Sequence, residues 1–323
     1  MSTESTTTSP ARPSPPSPRG AAPRPRVLDV VRAVRPHQWS KNLLLLVPLA
    51  LAHGMTDWYR LGMVLLGLVV FNLAASAGYV LNDVLDVQAD RMHPTKFRRP
   101  FASGRLSRRT GWVMLAGLLV VAAGLAAAWL PPRFGAILAI YLTGSISYST
   151  YWKRKLVIDT LVLAGLYTLR LYAGAAAAEV FVSHWLLAFS VFWFLSLALL
   201  KRYVELRQKN LDGAHPQETG RRGYWVSDEE MVRALGPVPG YMALMLMAVY
   251  INSDKVSLLY QSPELLWGVC LLLAYWITRL WILAARGVVS DPLTFSLRDR
   301  AAWLVLLGVG VLLALAATAD LPL

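Results

Sequence analysis

Apolar residues along this chain gather in runs of about twenty rather than alternating with polar ones. Nine such runs stand out, at roughly 40–56, 61–81, 112–130, 134–150, 156–175, 183–200, 235–252, 264–284 and 301–319. A helix of that length crosses about 30 Å of hydrocarbon. A spanning segment has to be helical here, because lipid offers nothing to bare backbone N–H and C=O groups. The pattern predicts a polytopic, all-α membrane protein. Pro48 interrupts the first run, which is the least regular. The connections differ by side: HGMTDWYR and PPR are short, whereas 82–111 and 201–234 are long and dense in acids and bases.

Hydrophobic residues make up 56% of the 323, and the formal charge is +13. Such a charge can signal nucleic acid, but its placement speaks for topology instead. Of the 32 Lys and Arg, 27 fall in the N-terminal stretch and the even-numbered loops. Three (Arg60, Arg133, Lys255) fall in the odd-numbered loops, and Arg170 and Arg279 lie within runs. Cations resist translocation, so the expectation is a multi-pass protein of the cell (inner or plasma) membrane with no nucleic-acid partner. Its N-terminus and even-numbered loops would be cytosolic and its C-terminus external. Residues 1–26, rich in Ser, Thr and Pro, read as a disordered cytosolic tail without the apolar core of a signal peptide. A single domain over 27–323 follows. Cys270, the one cysteine, allows neither an internal disulfide nor a thiolate metal site.

The unusual chemistry begins where the second run ends, in NDVLDVQADRMHPTKFRRP, residues 82–100. Asp83, Asp86 and Asp90 are three and four apart, a spacing that stacks them on one helix face beside Asn82. Crowded carboxylates raise one another's pKa unless a cation neutralises them. Either Arg91 and Lys96 pair with a solvated helix end, or the oxygens hold a hard divalent ion such as Mg²⁺, which takes one or two carboxylates and completes its shell with water and phosphate. Lys96, Arg98 and Arg99 are suited to phosphate oxygens, and His93 reads as loop packing. Arg170 lies inside the fifth run, where a charge costs about 2.5–3.5 kcal/mol. Asp159, eleven residues earlier, falls on nearly the same face, so the two either pair or serve a site with Lys153 and Lys155 at its rim. In KRYVELRQ, Lys201, Arg202 and Glu205 follow the sixth run, with Arg202 and Glu205 placed to pair at i,i+3. Ser227 and Glu230 read as a capping box, and Asp291 reads as a turn and cap.

The N-D-x-x-D-x-x-x-D signature at 82–90, at the end of span two of nine, resembles the UbiA superfamily of intramembrane prenyltransferases over about residues 27–320. The resemblance implies a nine-helix bundle whose central cavity opens to the cytosol, with Asp83, Asp86 and Asp90 as catalytic and metal residues holding Mg²⁺ and a substrate diphosphate. Aromatic prenyltransferases of the superfamily carry a second aspartate-rich motif after span six, where this chain has KRYVELRQ. Together with RPHQWSKN and DRMHPTKFRRP, that departure resembles the decaprenyl-phosphate phosphoribosyltransferase branch. The implied partners are a polyprenyl phosphate or diphosphate lipid, a soluble diphosphate donor and the membrane. Asn82, Lys96, Arg99, Lys153, Arg170, Lys201, Arg202 and Glu205 are the candidate substrate-binding residues. Prenyl transfer from a polyprenyl diphosphate to an aromatic acceptor, and a non-enzymatic lipid transporter, are the competing readings.

Overall fold

The computed structural model describes residues 27–92, 96–213, 215 and 223–319. The expected tail at 1–26 and the packing assigned to His93 lie outside them. Its regular elements are helices. Helix α1 (Val27–Val34) leads through a 3-10 stretch, Pro36–Leu46, into α2 (Val47–Leu51) and then α3 (Trp58–Leu85) and α4 (Val87–Arg91). Next come α5 (Arg108–Trp129), α6 (Pro132–Thr150), α7 (Ile158–Ala178) and α8 (His184–Leu211). The chain ends with α9 (Glu229–Leu235), α10 (Pro237–Ile251), α11 (Asp254–Ser257), α12 (Leu266–Ala285), α13 (Pro292–Arg298) and α14 (Arg300–Thr318).

Side chains that satisfy bare N–H groups set several starts. Asp57 accepts from Tyr59 and Arg60 at α3, Ser107 from Thr110 at α5, Ser183 from Leu186 at α8 and Asp299 from Ala302 at α14. Asp291 caps α13 through the Thr294 N–H, as expected. The capping box expected at Ser227 and Glu230 sits two residues earlier. The Asp228 carboxylate accepts the Trp225 N–H across a 3-10 turn, and Ser227 lies inside that turn.

Among the described residues, seven helical stretches are long and apolar enough to cross a membrane, so the chain is a multi-pass membrane protein. They match the runs expected at 61–81, 112–130, 156–175, 183–200, 235–252, 264–284 and 301–319. The other two differ for visible reasons. The run at 134–150 is a 19-residue helix, α6, whose second half carries Thr143, Ser145, Ser147, Ser149 and Thr150 and so loses hydropathy. The run at 40–56 is broken into the 3-10 stretch and α2, with Pro48, which has no N–H to give, at the start of α2.

Helix α7 is the spine. One apolar cluster joins it, through Ala173 and Ala177, to Leu45, Leu49, Phe71, Ala74 and Phe134 of the 3-10 stretch, α2, α3 and α6. A second joins it, through Ala164 and Leu171, to Phe194, Leu200, Ala243, Ile277 and Trp281 of α8, α10 and α12. Gly174 makes the first joint possible: a Cβ there would lie 1.9 Å from the Leu45 carbonyl oxygen, so only glycine lets the two backbones approach. Gly174→Ala should therefore lower the detergent melting temperature, at a cost of about 1–3 kcal/mol for an overpacked contact. Gly165→Ala on the same helix, where a Cβ meets nothing within 4 Å, should leave it unchanged or slightly raised. Equal melting temperatures for both variants would refute the close-approach account.

Candidate active site

The acidic motif is not a row of three. Helix α3 ends at Leu85, Asp86 closes it with φ −89° and ψ 8°, and α4 restarts at Val87. The break leaves Asp86 exposed while Asp83 and Asp90 are 2% and 3% exposed. The buried pair is bridged by Arg99, whose Nη1 lies 3.2 Å from Asp83 Oδ1 and donates to Asp90 Oδ2 at 2.7 Å. Arg35 Nη2 also donates to Asp83 Oδ1, at 2.6 Å. Of the two cations considered from the sequence, Arg91 turns to the Ala102 carbonyl, and Arg35 and Arg99 reach the buried carboxylates. Arg35 holds a left-handed backbone (φ 56°, ψ 59°), a strained conformation for a residue before proline. Its contact with Asp83 and its position over the Tyr79 ring, at 5.4 Å, oppose that strain. Asn82 donates to Ser149 Oγ at 3.1 Å and so ties α3 to α6.

Among the described residues, no three His, Cys, Asp or Glu gather as a ready metal cage. The Asp83–Asp90 pair nonetheless fits a magnesium-like ion. Its donors are hard oxygens, a cation already lies between them, and such an ion needs only one or two carboxylates when a phosphate supplies other ligands.

A polar seam runs from this pair into the bundle. Asn72, Ser76, Tyr79 and Asp83 recur every three or four residues along one face of α3. The 3-10 stretch lies along them: Trp39 Nε1 donates to Ser76 Oγ at 3.1 Å and Asn42 Nδ2 to Asn72 Oδ1 at 2.7 Å. At its inner end Arg170, 6% exposed, donates to Asn42 Oδ1, the Leu166 carbonyl and the Tyr141 hydroxyl at 2.8, 2.6 and 3.0 Å. Its guanidinium lies 4.9 Å from the Tyr141 and Tyr167 ring centres and 5.7 Å from that of Phe71. All these partners are neutral, so the interior keeps a full positive charge.

Arg170 does not pair with Asp159. Eleven residues share a helix face but stand about 16 Å apart along the axis. Asp159 instead meets Arg202 of α8: Nε lies 2.9 Å from Oδ2, both side chains 2% exposed or less. Arg202 also pairs with Glu205, as expected. Tyr224 completes this network by donating to Asp159 Oδ1 at 3.1 Å and accepting the Val157 N–H at 3.2 Å. Burial and the Asp159 charge push the Tyr224 phenol up to about 12, so it stays a donor. Arg202 thereby locks α8 to α7, and Lys201, the next residue, turns outward to Asp291 at 3.6 Å. Burial pushes the Asp291 carboxyl up, but the Thr294 N–H and the Lys201 and Lys41 ammoniums outweigh it and hold it below the usual carboxylate range. Lys96 and Lys153 are half-buried in short 3-10 turns, Lys96–Arg98 and Trp152–Arg154.

Lys41, which the sequence did not single out, joins an apolar cavity of about 280 Å³ to these cations. Ser40 and Lys41 line its polar end, and Trp193, Leu273, Trp276, Leu306 and Val309 line the rest. Arg35, Asn42, Asn72 and Tyr141 were also missed. The stretch RPHQWSKN, which holds Arg35, Lys41 and Asn42, was noted for its resemblance but not residue by residue, and Asn42 and Asn72 are polar residues within apolar runs, a costly placement.

Comparison with known proteins agrees with this geometry. The sequence pattern of the UbiA prenyltransferase family matches residues 43–297. An uncharacterized Sinorhizobium fredii protein, y4nM, is 34% identical over 86% of this chain, which spans only 54% of that relative's length. The nodulation protein NoeC of Azorhizobium caulinodans is 38% identical, covering 86% of this chain and 90% of the relative. The decaprenyl-phosphate phosphoribosyltransferase of Mycolicibacterium smegmatis is 30% identical, covering 91% of this chain and 96% of the relative. A solved UbiA homologue from Archaeoglobus fulgidus, bound to GPP and Mg²⁺, shares the fold with a TM-score of 0.65 at 17% identity, covering 88% and 99% of the two chains.

The Asp159–Arg202 pair gives a test of which cations are structural. Removing one partner of a buried pair costs about 3–5 kcal/mol, so Asp159→Asn should sharply lower the melting temperature in detergent. Glu205→Gln, at a carboxylate 40% exposed, should change stability by under about 1 kcal/mol. The reverse order would place the structural pair at Glu205.

Proposed function

Because the chain belongs to the UbiA prenyltransferase family, and so is a membrane transferase, we propose that it moves 5-phosphoribose from 5-phosphoribosyl 1-diphosphate to a polyprenyl phosphate of the decaprenyl kind, releasing diphosphate. The observation that carries this reading is the contrast in charge between two sites. Asp83 and Asp90, at the junction of α3 and α4, form a buried acidic pair around a partly exposed Arg99. In the last third of α8, by contrast, the buried Arg202 takes up the acids Asp159 and Glu205, and Lys201 is the outward-facing cation. One acidic pair suits one metal-bound diphosphate. A monophosphate acceptor calls for cations rather than for a second metal. The Mycolicibacterium relative, matched over 96% of its length, supports the same assignment.

Asp83 and Asp90 would hold the divalent ion, with Asn82 and Asp86 at the rim. When bound, Mg²⁺ supplies Lewis-acid stabilisation of the leaving diphosphate. Arg35 and Arg99 turn from the carboxylates to phosphate oxygens, and Lys96 and Lys153 add positive charge at the mouth. The C1–O bond to diphosphate breaks with its electron pair going to the diphosphate, and an oxygen of the acceptor phosphate forms the new bond to C1. That oxygen is already anionic, so no strong general base is needed. Lys41 and Lys201 hold the acceptor phosphate, and the apolar cavity takes the adjoining isoprenoid units. Arg170 draws negative charge toward the inner end of the seam. Arg202 and Glu205 fix the turn of α8 that presents Lys201. On this reading the N-terminus and the helix ends near the acidic pair and Lys201 are on the cytosolic side, where the soluble donor is.

Purified protein with Mg²⁺, labelled phosphoribosyl diphosphate and polyprenyl phosphate should yield a lipid-extractable labelled product. Asp83→Asn and excess chelator should each lower that yield by about a hundredfold or more, the scale of losing one electrostatic stabiliser of a transition state. Asp83→Asn should also lower the melting temperature, because its buried carboxylate pairs with Arg35 and Arg99, so the chelator arm, which leaves the chain unaltered, is the one that tests the metal. Label transferred only from a polyprenyl diphosphate to an aromatic acceptor would establish prenyl transfer instead.

A further inference from the structure

A second basic recess lies beside the acidic pair. It measures about 510 Å³ and is lined by Arg32 of α1 and by Phe97, Arg98, Ser103 and Arg105 of the loop between α4 and α5. Two of its cations, Arg32 and Arg105, pair with Asp29 rather than with Asp83 or Asp90. Arg105 Nη1 lies 3.2 Å from Asp29 Oδ1 and Arg32 Nη1 lies 3.9 Å from the same oxygen. Asp29 itself is buried, at 3% exposed. Every nitrogen of the Arg105 guanidinium is anchored, since Nε donates to Ser103 Oγ at 3.0 Å and Nη2 to the Arg98 carbonyl at 2.5 Å. Three guanidiniums line the recess and two of them share one carboxylate, so the recess stays positive, and Arg105 is fixed before any ligand arrives.

We propose that this recess is a phosphate-monoester subsite, which holds the 5-phosphate of the phosphoribosyl donor while the acidic pair takes the diphosphate. The assignment rests on the donor named above. Arg98 and Arg99 are consecutive, about 3.8 Å apart at Cα; Arg99 reaches the acidic pair and Arg98 lines the recess. A single turn of loop therefore serves two anion sites, which matches a donor carrying phosphate groups on both sides of one ribose. Phe97, 44% exposed, offers the sugar an apolar face between them. Arginine suits this task because its planar fork can grip two phosphate oxygens at once. A concave recess built on an anchored guanidinium favours a soluble ester over a lipid headgroup of the same chemistry, which a flat cationic surface would serve.

The test uses the full chain in phosphatidylcholine nanodiscs with chelator, so that no metal-bound diphosphate takes part. Calorimetric titration with ribose 5-phosphate should show binding, and titration with ribose should show none. The double variant Arg32→Gln/Arg98→Gln removes two exposed guanidiniums and leaves the Asp29–Arg105 pair in place; it should bind ribose 5-phosphate at least tenfold more weakly. Absence of binding by wild type, or equal binding by the variant, overturns the proposal. A loss confined to association with phosphatidylglycerol vesicles, with ribose 5-phosphate binding unchanged, also overturns it and assigns the recess to a headgroup. If wild type transfers nothing from phosphoribosyl diphosphate yet the variant loses ribose 5-phosphate binding, the donor assignment falls and the monoester subsite stands.

Discussion

Arg99 lies between two carboxylates that are almost wholly removed from water at the end of an apolar helix. Without a cation the two charges would repel, and each would bear a desolvation penalty of several kcal/mol. Much of the local architecture follows from supplying that cation. The loop after α4 folds back far enough to bring Arg99 to Asp83, sixteen residues away, and Arg35 arrives from the other side in a strained left-handed conformation. The same fold places Arg105 on Asp29, so α1 is clamped to the loop as well. A salt bridge that holds a structure together is ordinarily a poor place for chemistry. Here the bridging arginine is 30% exposed, so it can yield its place to another cation without leaving the carboxylates bare.

Inside the bundle the same constraint is met differently. Among the described residues, Arg170 has three hydrogen-bond acceptors and three aromatic rings but no carboxylate paired with it. Neutral dipoles and ring faces reduce the cost of burying a guanidinium without cancelling its field. Arg202, by contrast, is neutralised by Asp159 and Glu205. The two buried arginines divide the work: one fixes helices to each other, and the other leaves an attractive potential at the inner end of the polar seam.

The spans were legible because a twenty-residue apolar run has few alternatives in lipid. The two exceptions failed for local reasons that composition blurs, the Ser/Thr half of α6 and Pro48 between the 3-10 stretch and α2. The acidic motif was legible as chemistry but not as geometry. Spacing of three and four assumes an unbroken helix, and the break at Asp86 turns that residue to solvent. Angular reasoning likewise put Asp159 and Arg170 on one face while overlooking the axial distance between them. Arg99 was legible as a cation near the motif, but its contact with Asp83, like that of Arg35, was beyond reach for a different reason, because pairing across 16 and 48 residues depends on how two loops fold back. Stepwise polarity along α3, at Asn72, Ser76 and Tyr79, was present in the sequence but hidden within a run taken as uniformly apolar.

The balance of charge bears on which substrate the site favours. An acceptor that is already a phosphate brings negative charge to a donor that carries more, so the reacting groups repel unless cations lie on both sides of the new bond. The structure has such cations on separate elements: Arg35 and Arg99 at the acidic pair, Lys41 and Lys201 near the apolar cavity, and Arg170 in the interior. A neutral aromatic acceptor would have no use for Lys41 and Lys201 beside a slot lined by tryptophan and leucine. A lipid whose anionic head and apolar tail must be held a few ångströms apart uses both. Phosphoribosyl transfer to a polyprenyl phosphate would therefore give Lys41 and Lys201 a role that prenyl transfer leaves them without.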